Sequence, residues 1–246
     1  MKRYSILSTL LLGTAGLMLL PTGAYAMHIS EGILPPSWAA LWYLAAAPFL
    51  WWGIRDIKRK SDAQPKFKIL VAMVGAAVFI ISCMPIPVPT AGTCSHPCGT
   101  GLGAIIIGPG PTIVVSSIAL LLQALFLAHG GITTLGANVV SMGVGGALSG
   151  YFVFVCLRRL KLNAFACAFA AGIISDWVTY AMTSTALATA LHGDGEFFNM
   201  FLAIVIAFIP TQLPLGILEG FLSAGAYRFV KSRRPELLQL AKDTAP

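Results

Sequence analysis

The stretch FFNMFLAIVIAFIPTQLPLGILEGFLSAGAYR, residues 197–228, carries one acidic side chain, Glu219, and reaches its first basic residue only at Arg228. A membrane-spanning helix needs about 17–25 apolar residues, so this stretch is long enough to cross a bilayer. The whole chain has the same character, because 57% of its residues are hydrophobic and only 10% are charged. Such a composition cannot provide the polar surface of a soluble protein, and it predicts a polytopic membrane protein.

Further apolar stretches predict an all-α fold with about seven transmembrane helices in the mature chain. Those that approach or exceed spanning length lie at 38–54, 67–84, 111–128, 139–157, 164–191 and 197–228. The remaining one, residues 99–110, is glycine-rich and too short to span unaided, so it either crosses or dips in under the cover of its neighbours. The sequence Gly108-Pro109-Gly110-Pro111 predicts a break before the next helix.

Beyond residue 26, lysine and arginine are confined to a few short clusters, which predict the orientation of the chain. The net charge of +7 therefore does not indicate a nucleic-acid-binding surface. The clusters occupy residues 55–68, 158–161 and 228–234, with Lys242 in the tail, and the positive-inside rule places them in the cytoplasm. The connections 27–37, 85–100, 129–138 and 192–196 contain no lysine or arginine. We therefore predict an external N-terminus and a cytoplasmic C-terminus.

The first 26 residues are typical of a cleaved secretory signal peptide. They combine Lys2 and Arg3 with an apolar run from Ile6 to Leu20 and the small-x-small site Ala24-Tyr25-Ala26. An uncleaved first membrane anchor is the alternative, and translation from Met27 would give the same mature start as cleavage. The predicted organisation is thus a signal peptide, 1–26, followed by one transmembrane domain, 27–246.

A free amine on Met27 next to His28 would make a strong metal chelator. The amine, the backbone amide nitrogen of His28 and the His28 imidazole can bind one ion in two fused chelate rings. These donors are nearly coplanar and leave a fourth equatorial position, which His96 can fill. Four nitrogens near one plane suit Ni(II), Cu(II) or Co(II) better than tetrahedral Zn(II). Affinity should depend on pH, because the donors lose protons on binding.

The sequence contains four histidines, His28, His96, His129 and His192, and the predicted topology places all of them outside. A lone histidine is more often a structural hydrogen-bonding group than a ligand. His96 lies in the tightly turning stretch CSHPCG at 94–99, whereas His129 and His192 are distinguished only by their positions near helix ends. We therefore predict Met27, His28 and His96 as metal ligands, without the other two histidines.

Three longer stretches resemble the CbiM family, the substrate-capture subunits of cobalt energy-coupling-factor (ECF) transporters. They are MHISEGILP at 27–35, CSHPCGTGLGAIIIGP at 94–109 and AHGGITTLGANVVSMG at 128–143, with a looser match in SDWVTY at 175–180. The resemblance covers essentially the whole mature chain. It implies the same ligand set, made of the Met27 amine, the His28 amide and imidazole, and His96.

The resemblance also implies a function and a set of partners. It describes a seven-helix protein of the cytoplasmic (inner) cell membrane that captures Co(II), or Ni(II) in close relatives, for cobalamin biosynthesis. The expected partners are a CbiQ-like coupling subunit, a small CbiN-like membrane subunit and CbiO-like ATP-binding subunits, which would use the ATP. In keeping with a transport subunit that is not an enzyme, the sequence has no G-x-x-x-x-G-K-[ST] phosphate loop.

Other polar side chains are predicted to support the metal site. Glu31, Ser95 and Asp176 are the candidates for groups next to the ligands. Glu31 would offset the metal charge or accept hydrogen bonds from an external loop, and Asp176 would orient His96 or bond to helix ends. Asp176 and Glu219 lie within apolar runs, where an isolated charge costs about 2.5–3.5 kcal/mol. We expect both to be buried against partners and to act as structural groups rather than as ligands.

Two other functions would use some of the same residues. An intramembrane enzyme would take Ser95 or Cys94 as nucleophile and His96 or His129 as base, but neither a G-x-S-x-G nor an H-E-x-x-H motif occurs. A stand-alone secondary transporter would carry a proton on Asp176, and it would typically show paired broken helices in two inverted halves. Metal capture by a transport subunit is the favoured interpretation.

Overall fold

The computed structural model describes residues 28–84, 86–88 and 93–240 of the chain, so the predicted signal peptide and Met27 lie outside the described residues. The described part is mostly helical. The helices are α1 Pro36–Ala63, α2 Phe67–Ser82, α3 Thr100–Ile107, α4 Pro109–Phe126, α5 Leu135–Arg159, α6 Ala164–Leu191, α7 Phe197–Arg233 and α8 Pro235–Leu240. Strands β1 Ile86–Val88 and β2 Thr93–Ser95 pair in antiparallel register between α2 and α3.

The predominantly helical fold agrees with the prediction of an all-α membrane protein, apart from the short β1–β2 pair. Within the described residues, α4, α5, α6 and α7 are each long and apolar enough to cross a bilayer. Helix α2 is apolar but has only 16 residues, and the C-terminal part of α1 is charged. The number of crossing helices and the orientation of the termini therefore remain predictions.

Helix α1 continues well beyond the predicted boundary at residue 54. It ends at Ala63 and takes in much of the basic cluster, which was expected to form a cytoplasmic loop. The buried carboxylate of Asp56 binds Arg59 and Lys60 one turn later, at 2.8 and 2.9 Å. Ion pairs at this spacing favour helix, and residues 55–64 contain neither proline nor glycine, so the helix is not interrupted before Pro65.

Helix α3 lies in the short glycine-rich stretch for which the sequence did not decide between crossing the membrane and dipping into it. Its 8 residues rise only about 12 Å, much less than the roughly 30 Å of a bilayer core. All but one of them are buried between neighbouring helices, as irregular or short elements at membrane depth require. The predicted break follows directly, because Gly108 has a φ of +92° and Pro109 begins α4.

Close helix contacts hold α3 in place. A Cβ added to Gly101 would lie 2.8 Å from the Cβ of Ser175 on α6, and one added to Gly146 on α5 would lie 2.5 Å from Thr100 Oγ1. Helix α5 adopts π-helical turns from Val139 to Gly146, and every residue of that segment is buried. Small residues therefore let α3, α5 and α6 approach one another closely.

The two ends of α4 mark two chemically different ends of the molecule. Its beginning, at Pro109, borders a cavity of about 740 Å³ that also receives Lys60, Arg158 and Lys231, one residue from each predicted cytoplasmic cluster. Gln123 lies about 21 Å further along α4 at 1.5 Å per residue, and there it contacts His28. The basic clusters therefore meet at one end, and the candidate metal ligands lie near the other.

Candidate metal centre

Three imidazoles, those of His28, His96 and His129, meet where the N-terminal segment packs against two connecting loops. Their ring centroids lie 4.7, 4.9 and 5.0 Å apart. One ring nitrogen from each lies within 4.8 Å of the other two, which is close enough for a shared ion. His28 and His96 are almost completely buried, with exposed fractions of 2% and 1%, and His129 is half-buried. The described ligand atoms of this cluster are thus all nitrogen.

Gln123 determines which nitrogen of His28 is available to a metal. The amide nitrogen of Gln123 donates to Ser82 Oγ at 2.7 Å, which leaves its Oε1 facing His28 Nε2 at 3.1 Å. A carbonyl oxygen only accepts, so Nε2 must carry the proton and donate it. The lone pair of neutral His28 is therefore on Nδ1, the nitrogen nearer the backbone.

The backbone carbonyl of Pro97 selects the opposite tautomer of His96. His96 Nδ1 lies 3.0 Å from Pro97 O and must donate to it, so the lone pair is on Nε2. That nitrogen lies 3.0 Å from Nε2 of His129, which donates to it when the cluster holds no ion. A hydrogen bond from the second ring nitrogen to a carbonyl is how metal-binding histidines are usually oriented.

The surroundings of the three rings keep them uncharged. Burial, with smaller contributions from His96 and His129, lowers the pKa of His28 well below its usual value. Burial and then the proximity of His129 lower the pKa of His96 to about 3, and partial burial lowers that of His129. Neutral imidazoles are the form that binds metal ions, so the site needs no deprotonation of these rings near neutral pH.

The segment that carries His28 is fixed through the backbone of Ile29. The Asn138 side chain accepts from Ile29 N at 2.9 Å and donates to Ile29 O at 3.1 Å. Thr134 Oγ donates to the same carbonyl at 2.6 Å, and the Ile29 side chain is buried in an apolar cluster. Two side chains four positions apart, Thr134 and Asn138, thus hold the chain immediately after His28.

Glu31 accepts hydrogen bonds from a loop, one of the two roles predicted for it. Its exposed carboxylate accepts from the backbone N of Thr133 at 3.1 and 3.3 Å. Gly131 allows the two segments to meet, because a Cβ there would lie 2.5 Å from Glu31 Oε2. Hydrogen bonds from Thr133 lower the pKa of Glu31. Glu31 therefore joins the N-terminal segment to the loop that carries His129.

Ser95 and Asp176 contact other groups than the three imidazoles. Ser95 Oγ, which is buried, accepts from the amide of Gln212 on α7. Asp176 lies within a second buried group with Cys98 and Glu219, and its Oδ1 accepts from the free thiol of Cys98 at 3.7 Å. The prediction that Asp176 orients His96 has no supporting contact, because the Nδ1 of His96 is bonded to a backbone carbonyl instead.

Glu219 is buried against partners, as expected from its place in an apolar run. Its two carboxylate oxygens accept from Cys98 N at 2.6 Å and Gly99 N at 2.9 Å, at the start of α3. Gly99 has a φ of +71°, so the chain turns sharply there and needs acceptors for its free N–H groups. A carboxylate on α7 thus fixes the start of the short buried helix.

His129 is the functional candidate that sequence reasoning did not select. It follows Ala128, which has a φ of +48°, and its backbone N donates to Gln123 O at 3.2 Å. This turn directs the His129 ring to the same place as the other two. The signal was its position in the stretch AHGGITTLGANVVSMG, which also supplies Thr134 and Asn138. His192 is different, because its Nδ1 bonds to Ala188 O within α6 and its ring packs on Phe197.

Comparison with known proteins agrees with this geometry. A family model described as "CbiM: Cobalt uptake substrate-specific transmembrane region" matches residues 28–237, from the first imidazole to the last helix. The chain belongs to the CbiM family. The resemblance found in the three sequence stretches is therefore confirmed, and with it the assignment to a family of cobalt transport proteins.

Individual CbiM relatives match over most of their length. A cobalt transport protein CbiM of Geobacter sulfurreducens is 55% identical over 240 residues, covering 97% of this chain and 68% of the relative. One of Sorangium cellulosum is 54% identical, covering 86% of this chain and 94% of the relative. These relatives are named as transport proteins, in agreement with a transport component of the membrane rather than an enzyme.

Solved structures extend the similarity to the CbiM fold. A crystal structure titled as a transition metal transporter aligns with a TM-score of 0.72 at 25% identity, covering 83% of this chain and 92% of the other. A truncated transition metal transporter aligns with the same score and covers 98% of the solved chain. The helical arrangement described above is therefore that of a known class of metal transporters.

Proposed function

We propose that the chain is the substrate-capture subunit of an ATP-driven ECF-type importer that takes up Co(II) for cobalamin biosynthesis. The observation that carries this proposal is the cluster of three neutral, buried imidazoles covered by the N-terminal segment. CbiM-family membership supplies cobalt as the cargo, and the nitrogen donors suit Co(II) or Ni(II). The cargo would bind outside, since the basic clusters meet at the opposite end.

The proposed ligands are the Met27 amine, the His28 amide nitrogen and imidazole, and His96. The tautomers support this set, because Gln123 leaves the His28 lone pair on Nδ1, the ring nitrogen that can close a small chelate ring with the amide of the same residue. His96 has its lone pair on Nε2, directed into the cluster. An arriving ion would take the position of the proton that His129 now directs at His96.

The proposed partners are those that the family resemblance implies. CbiO-like ATP-binding subunits and a CbiQ-like coupling subunit would supply the conformational change, with a CbiN-like accessory subunit in the membrane. The basic end, with its cavity beside Lys60, Arg158 and Lys231, would face the cytoplasm of the inner membrane, where these partners and anionic lipids are found. Release then requires the imidazole cluster to open.

The first experiment is mass spectrometry of the purified protein's N-terminus, together with its bound metal. We expect a mature start at Met27 and one Co(II) per chain. His28→Ala or His96→Ala should weaken Co(II) binding at least about 100-fold, because each removes a direct ligand. His192→Ala is the matched control, since that histidine lies outside the cluster, and it should bind Co(II) like the parent.

Two further results would decide between forms of this proposal. Adding one residue before Met27 should abolish tight binding if the terminal amine is a ligand. A chain with an intact leader that nevertheless binds Co(II) at the three histidines would remove the amine from the site. Competition between Co(II) and Ni(II) tests the nickel alternative, which a donor set completed by a deprotonated amide would favour.

A further inference from the structure

A second group of metal-binding side chains lies deeper in the molecule, on the helices. Cys98, Asp176 and Glu219 are all buried, with Cys98 and Asp176 having no exposed surface, and one ligand atom from each lies within 4.8 Å of the other two. Cys98 lies just before α3, Asp176 on α6 and Glu219 on α7. Three separate elements thus bring a thiol and two carboxyl groups together.

The described part of the protein supplies no basic side chain to this group. Neither carboxyl forms a salt bridge with a lysine or arginine anywhere in the described ranges. Two carboxylates this close repel each other unless a proton or a cation lies between them. Asp176 Oδ2 is in addition buried without a hydrogen-bond partner among the described residues, and a Cβ at Gly216 would lie only 3.1 Å from it. The open Oδ2 therefore lies close to Gly216 on α7, while Oδ1 of the same carboxyl group faces the thiol.

We propose that Cys98, Asp176 and Glu219 form a second, inner site for a divalent transition-metal ion. Metal–ligand distances of about 2.0–2.3 Å place opposite ligands up to roughly 4.6 Å apart, so the side chains need to close only slightly. Glu219 uses one lone pair on each oxygen for the backbone, which leaves others for an ion. A bound ion would replace the proton that Cys98 donates to Asp176, and it would neutralise the two carboxylates.

The inner site is connected to the outer one through residues 95–99, which we call the bridging segment. His96 belongs to the outer cluster and Cys98 to the inner one, and residues two apart have Cα atoms at most about 7 Å from each other. Helix α7 fixes both ends of this segment, with Gln212 on Ser95 and Glu219 on Gly99. An ion that leaves His96 would thus move only a short distance to reach the thiol and carboxyl ligands of the inner site.

This inference rests on the proposed capture function and adds an intermediate position for the cargo. The two sites would differ in their absorption spectra, because the outer site offers nitrogen ligands and the inner site a thiolate. Titration of the purified full-length chain with Co(II) chloride should show a second equivalent accompanied by a sulfur-to-cobalt charge-transfer absorption. Cys98→Ser should abolish that absorption and weaken the second equivalent at least about tenfold, while the first equivalent remains.

Cys167→Ser is the matched control, because Cys167 is also a free and fully buried thiol but lies away from the two carboxyl groups. It should keep the absorption, and Asp176→Asn should weaken it. Retained binding of the first equivalent shows that the Cys98→Ser variant is folded. A parent chain that binds one Co(II) with no sulfur absorption would overturn the inner site and leave the capture function standing. Failure to bind any Co(II) would reject both.

Discussion

The two buried clusters differ in what holds them together. In the outer cluster, neutral imidazoles lie on an N-terminal segment and two loops, and one hydrogen bond joins the rings of His96 and His129. In the inner cluster, acidic groups lie on the long helices α6 and α7, and Glu219 binds two backbone N–H groups directly. One cluster can open by moving a loop, whereas the other is part of the helical framework.

This difference predicts that the outer cluster mainly determines metal affinity and that the inner cluster mainly determines the stability of the fold. Burying neutral imidazoles costs little free energy, so the outer cluster is stable without an ion. A bound metal ion would then provide most of the interactions that hold the three rings together. Buried carboxyl groups are costly unless they are bonded, and here Glu219 bonds to the backbone at the start of α3 and Asp176 to the Cys98 thiol. Substitutions in the outer cluster should therefore change metal binding most, and those in the inner cluster should change folding most.

Glu219→Ala should have the largest effect on stability. It leaves Cys98 N and Gly99 N buried without acceptors, and hydrogen bonds to charged groups contribute about 1.5–3 kcal/mol each. We expect the free energy of unfolding in mixed micelles to fall by about 3 kcal/mol or more. Glu219→Gln retains one acceptor oxygen and should lose roughly half as much.

The control for this prediction is Glu236→Ala, which removes an exposed acid that pairs with Arg234 on the surface. Surface pairs contribute about 1 kcal/mol or less, so this variant should unfold almost like the parent. Equal unfolding free energies for Glu219→Ala and Glu236→Ala would show that the inner cluster does not support the framework, and the contrast between the two clusters would fail.

Gln123→Leu should weaken metal binding more than it weakens the fold. Without the Gln123 acceptor, neutral His28 is no longer held with its proton on Nε2, so its Nδ1 lone pair is lost for part of the time. Groups that orient metal ligands typically contribute 10–100-fold to affinity, and we expect about tenfold weaker Co(II) binding. Imidazole ¹⁵N spectra of the metal-free chain should show a single His28 tautomer in the parent and a mixture in the variant.

Two variants test whether Gln123 acts through His28. Gln123→Glu keeps an acceptor for His28 Nε2 and should restore much of the affinity and the single tautomer. Ser117→Ala removes a hydroxyl that bonds only within the same helix, to Ile113 O, and should leave Co(II) binding unchanged. An unaltered tautomer in Gln123→Leu would mean that some other group orients the ring.

The sequence predicted the outer cluster only in part, for a physical reason. Apolar length and the Gly108–Pro109 break predicted the helices well, because both depend on local residue types. His28 was predicted as a ligand because it follows Met27, and His96 because it lies in a tightly turning stretch. His129 has no such local sign, since its place is set by the positive φ of Ala128 and by contacts with residues far away in the chain. The contact between Asp176 and Cys98, 78 positions apart, is equally invisible locally.

Glu31→Gln should have the smallest effect, and it tests how firmly the outer cluster is closed. Hydrogen bonds from Thr133 lower the pKa of Glu31, so its contribution is complete above the ordinary glutamate pKa and is lost as the pH falls through the lowered value. The side chain is exposed, so the effect on opening should stay below about fivefold. Amide hydrogen exchange at Thr133, corrected for intrinsic rates, should quicken in acid in the parent and be already quick, without this pH dependence, in Glu31→Gln. If exchange at Thr133 is identical in both chains at every pH, the N-terminal segment is held by Asn138 and Thr134 alone, and Glu31 does not help to close the metal site.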